Sequence, residues 1–238
     1  MQEVLELGEL KIHVAFKKIK NVHLSVYPPD GRVVLVAPET TRLEVVRAYA
    51  ISKLDWIRSQ QDKFMAQARE TSRQYINRES HMLWGRQHLL SVIEREEKPS
   101  VQINHKSILL TVRQGSSEER RAEVIHEWHI TLLHEIVPGL IQKWESKLGV
   151  KAKGYHLQRM KTKWGSFNPK SGFLRLNTEL VKKPKDLLEY VIVHELIHLI
   201  EPTHSERFRE ILSTQFPAWN EARLELNELP LGAEKWKE

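Results

Sequence analysis

The sequence predicts an α+β protein with a β-rich N-terminal half and a helix-rich C-terminal half. Alternating and β-branched runs fill the first forty residues and return between His81 and Val112. Helical periodicity dominates from Glu118 onwards. The 238 residues are 40% apolar, a globular composition that excludes intrinsic disorder and suits one ordinary domain or two small ones.

Residues 11–16 and 23–27 read as strands, and the turn signal Pro28-Pro29-Asp30-Gly31 folds the latter against residues 32–37 as a hairpin. Beyond Pro38, Thr40 or Thr41 is placed to cap a helix with Glu44 in its first turn. Val45, Val46, Tyr49, Leu54 and Ile57 keep helical spacing to about Ala68. Residues 81–93 and 101–112 predict a second strand pair, and Gly115-Ser116-Ser117 ends it. A long helix follows from Glu118 to Leu148, kinked or interrupted near Pro138-Gly139 and closed by Gly149. Residues 155–163 and 173–177 read as strands joined by a loop over 164–172. A helix begins after Pro184 and runs to about Ile200, and a last helical pattern from Ser205 towards Glu228 is punctuated by Pro217. No internal repeat is evident. The predicted division is residues 1–114, β-rich with one long helix, and residues 115–238, mainly helical.

With no cysteine, a thiolate nucleophile and a Cys-ligated metal are excluded, so any metal must be held by histidines, of which there are twelve, and carboxylates. The start carries Glu3, Glu6 and Glu9 rather than a signal peptide, and no apolar run approaches the ~18 residues that span a bilayer. A cytoplasmic protein without membrane contact is expected. The net charge of +6 permits nucleic acid or another polyanion as partner.

One helix contains His194-Glu195-Leu196-Ile197-His198. Residues i and i+4 lie on one helical face about 6 Å apart, so both imidazoles reach one ion, while Glu195 points to a water at that ion and suits a general base. Tyr190 to Val193 are apolar all round, which buries this helix and makes unpartnered histidines on it costly. Glu201 would sit about 10 Å along a continuing helix, too far to share the ion, but Pro202 stops the helix and lets the chain turn back. His204 is therefore the expected third ligand, over Glu201, Glu206 and Glu210. The +10 offset matches metzincins, yet Glu201 replaces their glycine and the methionines, 1, 65, 82 and 160, all lie upstream, which excludes a Met-turn.

Arg159, Lys161 and Lys163 alternate, so in a strand they share a face that suits either a row of phosphates or a solvated edge. His126, His129 and His134 lack ligand spacing and read as surface or packing histidines, and Trp84, Trp128, Trp144 and Trp219 as core anchors.

The runs Arg159 to Ser166, Leu174-Arg175-Leu176-Asn177, Tyr190 to His198 and His204 to Phe208 resemble the signature of the YgjP-like metal-dependent hydrolases, relatives of the SprT- and Wss-type zinc peptidases. Residues 29–34 and 52–57 resemble that family's N-terminal portion. The resemblance implies a zincin-like catalytic half with metal on His194, His198 and His204, Glu195 as acid/base, and the segment from Arg159 to Trp164 bordering the cleft. Phe167 departs from the cysteine usual after Trp-Gly-Ser.

Three functions are expected from these features. The expected substrate-binding residues are Arg159, Lys161, Lys163 and Trp164, and the first function is a zinc metallopeptidase in which an edge strand near Lys161 to Trp164 aligns an extended peptide, whereas the row Arg159, Lys161 and Lys163 would suit a triphosphate. The second, which the resemblance adds, is a nucleoside triphosphate pyrophosphatase acting on UTP, with Mg2+ or Mn2+ as the alternative metal. The third is a non-enzymatic adaptor with structural zinc. Members resembling the chain are often encoded beside restriction–modification systems, which keeps nucleic acid open as a partner.

Overall fold

The computed structural model describes residues 2–27, 31–66, 73–160 and 163–228, divided between two compact units within residues 1–70 and 71–229. The predicted turn at 28–30, the expected helix end at 67–68 and Lys161 lie outside the described residues.

In the first unit, strands β1 (Gln2–Leu7), β2 (Leu10–Lys17), β3 (His23–Tyr27) and β4 (Arg32–Pro38) form a sheet of order β1-β2-β4-β3. The central β2–β4 pair is parallel and the outer pairs are antiparallel. Ile12 and Val14, with Val33, Leu35 and Ala37, point to one face because side chains alternate along a strand. They pack with Val46, Ala50 and Ile57 of helices α1 (Leu43–Ser52) and α2 (Leu54–Ala66). The expected single helix is thus two, broken at Lys53, and its N-cap is Arg42 with no side-chain cap bond rather than Thr40 or Thr41.

The second unit begins with β5 (Ser80–Leu83), β6 (Arg86–Glu94), β7 (Ser100–Asn104) and β8 (Ser107–Val112), ordered β5-β6-β8-β7. Its central β6–β8 pair is parallel and its outer pairs antiparallel, so the strand order and directions of the first sheet recur. Each run expected as one strand contains a hairpin. Trp84 and Gly85, at φ +50° and +75°, make the tight turn between β5 and β6.

Helix α3 (Glu118–Leu148) is capped by Ser117, whose hydroxyl accepts from Arg120 N, and ends at Gly149 in the left-handed region. It runs through Pro138 as one helix, without the interruption that residue allowed. Val124 and Ile125 pack on Leu90, Ile108, Leu110 and Val112. The division drawn at residue 114 therefore falls near residue 70, because the second sheet shares a core with α3.

Strands β9 (Gly154–Gln158), β10 (Gly165–Asn168) and β11 (Phe173–Asn177) form a third sheet of order β10-β11-β9, with β10 at an edge. A 3-10 helix (Thr178–Lys182) leads into α4 (Lys185–Ile197), followed by α5 (Glu206–Gln215) and α6 (Trp219–Glu228). The core of the unit surrounds α4, where Leu187, Leu188, Tyr190 to Val193, Leu196 and Ile197 are all buried against α3, β11, α5 and α6. The β5–β6 turn docks where α4 begins: Trp84 N donates to Val181 O and Gly85 N to Lys182 O. A Cβ on Gly85 would meet Pro184 at 2.7 Å. No helix among the described residues is long and apolar enough to cross a membrane.

Candidate functional site

α4 ends at Ile197, three residues before the expected stop, and His198 is its C-cap. The following turn is fixed locally. The carbonyl of Glu201 lies 3.2 Å from His198 Nδ1, so that nitrogen donates and Nε2 keeps its lone pair. Thr203 donates from its hydroxyl to the Glu201 carboxylate at 2.9 Å. Ser205 then caps α5 by accepting from Phe208 N. The result returns His204 to α4, where its Nε2 lies 2.9 Å from His194 Nε2.

His194, His198 and His204 each offer a ring nitrogen within 4.8 Å of the others, the one such group of three potential ligands among the described residues. Beneath them lies Phe208, 1% exposed, with its ring 5.0, 4.8 and 4.9 Å from the rings of His194, His198 and His204. An aromatic floor thus occupies the region under the imidazoles, with no methionine downstream.

These residues fit a divalent ion. Ligands about 2.05 Å from a tetrahedral ion stand about 3.3 Å apart, close to the observed separation of His194 and His204. Burial, then the neighbouring His198 and His204, hold His194 down to about 4, and burial also lowers His198, so both present neutral donors at pH 7.

Glu195 is 6% exposed. Burial pushes its carboxyl up to about 7, opposed by a hydrogen bond with the Phe167 backbone and by the charge of Lys163. β10 crosses α4 at this point, and Gly165 permits the approach: a Cβ there would meet Val191 Cγ1 at 2.7 Å and Glu195 Oε1 at 2.8 Å. A cleft of about 330 Å³ opens over the three histidines and Glu195, walled by Lys163, Gly165, Ser166 and Phe167. A second cavity of about 320 Å³ shares Lys163, Gly165, His194 and Glu195 and continues past Trp164, Tyr190 and Arg223. The Tyr190 hydroxyl lies within electrostatic reach of both Arg223 and Glu195, and burial raises its pKa.

β9 stops at Gln158, so the strand expected through residues 159–163 is shorter, and of its basic residues Arg159 and Lys163 are described. Arg159 turns to the buried Glu179, with Nε 3.7 Å from its carboxylate, and its Nη2 lies 3.3 Å from His126 Nδ1. Only Lys163 and Trp164 of the expected substrate contacts line the cavities, and Lys161 is not described. The strand beside α4 is instead β10, in the stretch expected to be a loop. Asn177 holds the connecting segment: its Nδ2 donates to Met160 O and Lys163 O at 2.8 Å each. His129 is buried and His134 meets the Tyr155 hydroxyl at 2.7 Å, so both serve packing or local bonding.

Sequence reasoning placed Gly165, Asn177, Tyr190 and Phe208 within the signature runs but gave them no role at the site, and it missed Arg223. The one usable signal was spacing: Phe208 stands four residues after His204, on the helix that His204 introduces.

No curated protein matches the chain at a significant level. Among solved structures it is similar to the metallopeptidase zymogen jannalysin of Methanocaldococcus jannaschii, with 28% identity, a TM-score of 0.35, and coverage of 38% of this chain and 92% of that one. It is also similar to the metallopeptidase zymogen abylysin of Pyrococcus abyssi, with 22% identity, a TM-score of 0.36, and coverage of 38% and 91%. The YgjP-like metallopeptidase domain matches residues 20–229, nearly the whole chain. The chain therefore belongs to the YgjP-like metallopeptidase domain family and is a metal-dependent hydrolase of that metallopeptidase-like kind.

Proposed function

We propose that the protein is a zinc-dependent peptidase that binds an extended peptide along β10 and cleaves it with Glu195 as general base. The observation that carries this reading is the convergence of three imidazoles within 4.8 Å beside a buried carboxylate in one cleft. Three nitrogen donors favour zinc over magnesium or manganese, which take oxygen-rich sites. A divalent ion on His194, His198 and His204 supplies polarisation of a carbonyl and acidification of water.

The chain's own groups supply the rest. Glu195, raised by burial to about 7, has the proton affinity to take a proton from water and return it to a leaving amine near neutral pH. Lys163 places a positive charge on the same wall, where negative charge develops on the attacked carbonyl. β10 is an edge strand, so its outer backbone groups can pair with a peptide by strand addition. A triphosphate finds less here than the sequence suggests, since Arg159 is engaged by Glu179.

The test is elemental analysis followed by incubation of the zinc-loaded protein with an unfolded protein and, separately, with UTP, each with and without chelator. Chelator-sensitive peptide cleavage is expected, and the same result confined to UTP would replace the peptidase reading with the nucleotide one. Glu195→Gln should keep the metal and lose at least ~100-fold in kcat. Loss of metal in that variant would make Glu195 a ligand and the site structural.

A further inference from the structure

The second cavity differs in character from the cleft over the histidines. Its apolar walls are Trp164, Val191 and Leu226, and its charged groups apart from Glu195 are Lys163 and Arg223. Arg223 projects from α6, where its Nη2 donates to Asn220 Oδ1 at 3.0 Å and its guanidinium lies 5.3 Å from the Trp219 ring centroid. Both partners are neutral, and among the described residues no carboxylate forms an ion pair with Arg223 or Lys163. At about 320 Å³ the cavity is at the small end of ligand sites and has room for one side chain or a chain end rather than an extended ligand. A planar guanidinium with a second cation nearby, over apolar walls, is the arrangement that selects a carboxylate.

We propose that this cavity is a specificity subsite that takes a carboxylate of the peptide substrate, held by Arg223 and Lys163, immediately beside the bond presented to Glu195. The proposal rests on the peptidase function proposed above. The carboxylate has two sources, an aspartate or glutamate side chain or the free C-terminus of the peptide. The geometry supports either, since both present the same two oxygens to the same cations. Tyr190, itself buried, lines this cavity and not the cleft over the histidines.

The experiment first maps cleavage sites on an unfolded protein by mass spectrometry, using the zinc-loaded full chain. It then measures kcat/KM for three peptides around a preferred site: one with glutamate at the selected position, one with glutamine there, and the glutamine peptide shortened to end there with a free carboxylate. The glutamate or the shortened peptide should exceed the internal glutamine peptide by roughly 10- to 100-fold, the scale of a charge-assisted pair. Which of the two wins identifies the source. Arg223→Gln should collapse that ratio towards one, and Arg223→Glu should invert it in favour of a lysine peptide. An indifferent wild-type ratio, or a ratio that survives Arg223→Gln, overturns the subsite. If no peptide is cleaved, the peptidase function fails on its own. The same peptides are then bound to zinc-loaded Glu195→Gln protein by fluorescence anisotropy, where an Arg223-dependent preference for the carboxylate supports the subsite and its absence overturns it.

Discussion

Gly165 and Glu195 are packed so closely that a single added methyl on the glycine would come within 2.8 Å of the carboxylate oxygen and 2.8 Å of its Cγ. The edge strand and the buried helix therefore meet at the one side chain assigned to proton transfer. Gly165→Ala is expected to push β10 off α4 or to turn Glu195 away. The cost from overpacking is about 1–3 kcal/mol in chemical denaturation. Zinc content should stay unchanged and kcat/KM should fall at least about 10-fold, whereas an unaltered rate would show that the strand yields without disturbing Glu195.

Phe208 packs against the rings of three histidines at once. Phe208→Ala opens a cavity under all three rings and is expected to cost about 3–5 kcal/mol, with weaker retention of zinc against a competing chelator. Phe208→Met fills most of the space with a flexible apolar chain and should keep most of the affinity. Equal losses in both variants would point to a role of the aromatic ring beyond filling.

Metal binding should release a proton. In the ion-free chain at pH 7, His194 is already neutral because burial holds it at about 4, while Glu195, pushed by burial to about 7, is about half protonated. A divalent cation in the same cleft favours the carboxylate, so binding drives off the proton that Glu195 holds. Calorimetric zinc titrations in two buffers of different ionisation enthalpy measure this release. It should shrink in Glu195→Gln, and an equal release from that variant would assign the proton elsewhere.

His129 makes stability depend on acid. Burial is the main cause that lowers it to about 3, against about 6.5 in an unfolded chain. Between those values the unfolded chain binds a proton that the folded one refuses. The contribution is therefore complete above pH 6.5 and is lost as pH falls towards 3, with a slope of at most about 1.4 kcal/mol per pH unit. Urea unfolding of metal-free protein between pH 4 and 6.5 should show a shallower slope in His129→Leu. Parallel slopes would mean that His129 is already sheltered in the unfolded ensemble.

The convergence of three imidazoles was legible because it depends on local rules. Helical spacing pairs His194 with His198, and the reading of Pro202 as a barrier to further helix foretold the return of His204, although α4 already ends at Ile197. The surroundings depend on contacts remote in sequence and were not legible. Residues 81–93 and 101–112 looked like unbroken strands because two-residue turns preserve alternation, and Trp84 and His105 occupy turn positions at φ +50° and +40° without being glycine. β10 escaped because Gly-Ser-Phe-Asn has little strand character, and its pairing with β11 decides the matter. The boundary near residue 70 follows from α3 packing on β6 and β8, which no local pattern encodes.

The recurrence of one strand order in both sheets suggests an economy in the making of this chain. A single wiring diagram is thus used twice within one chain, once in each compact unit. The downstream copy is welded through α3 to the reacting half, while every described residue lining either cavity falls between Lys163 and Asn227. No described residue of the upstream sheet borders either cavity.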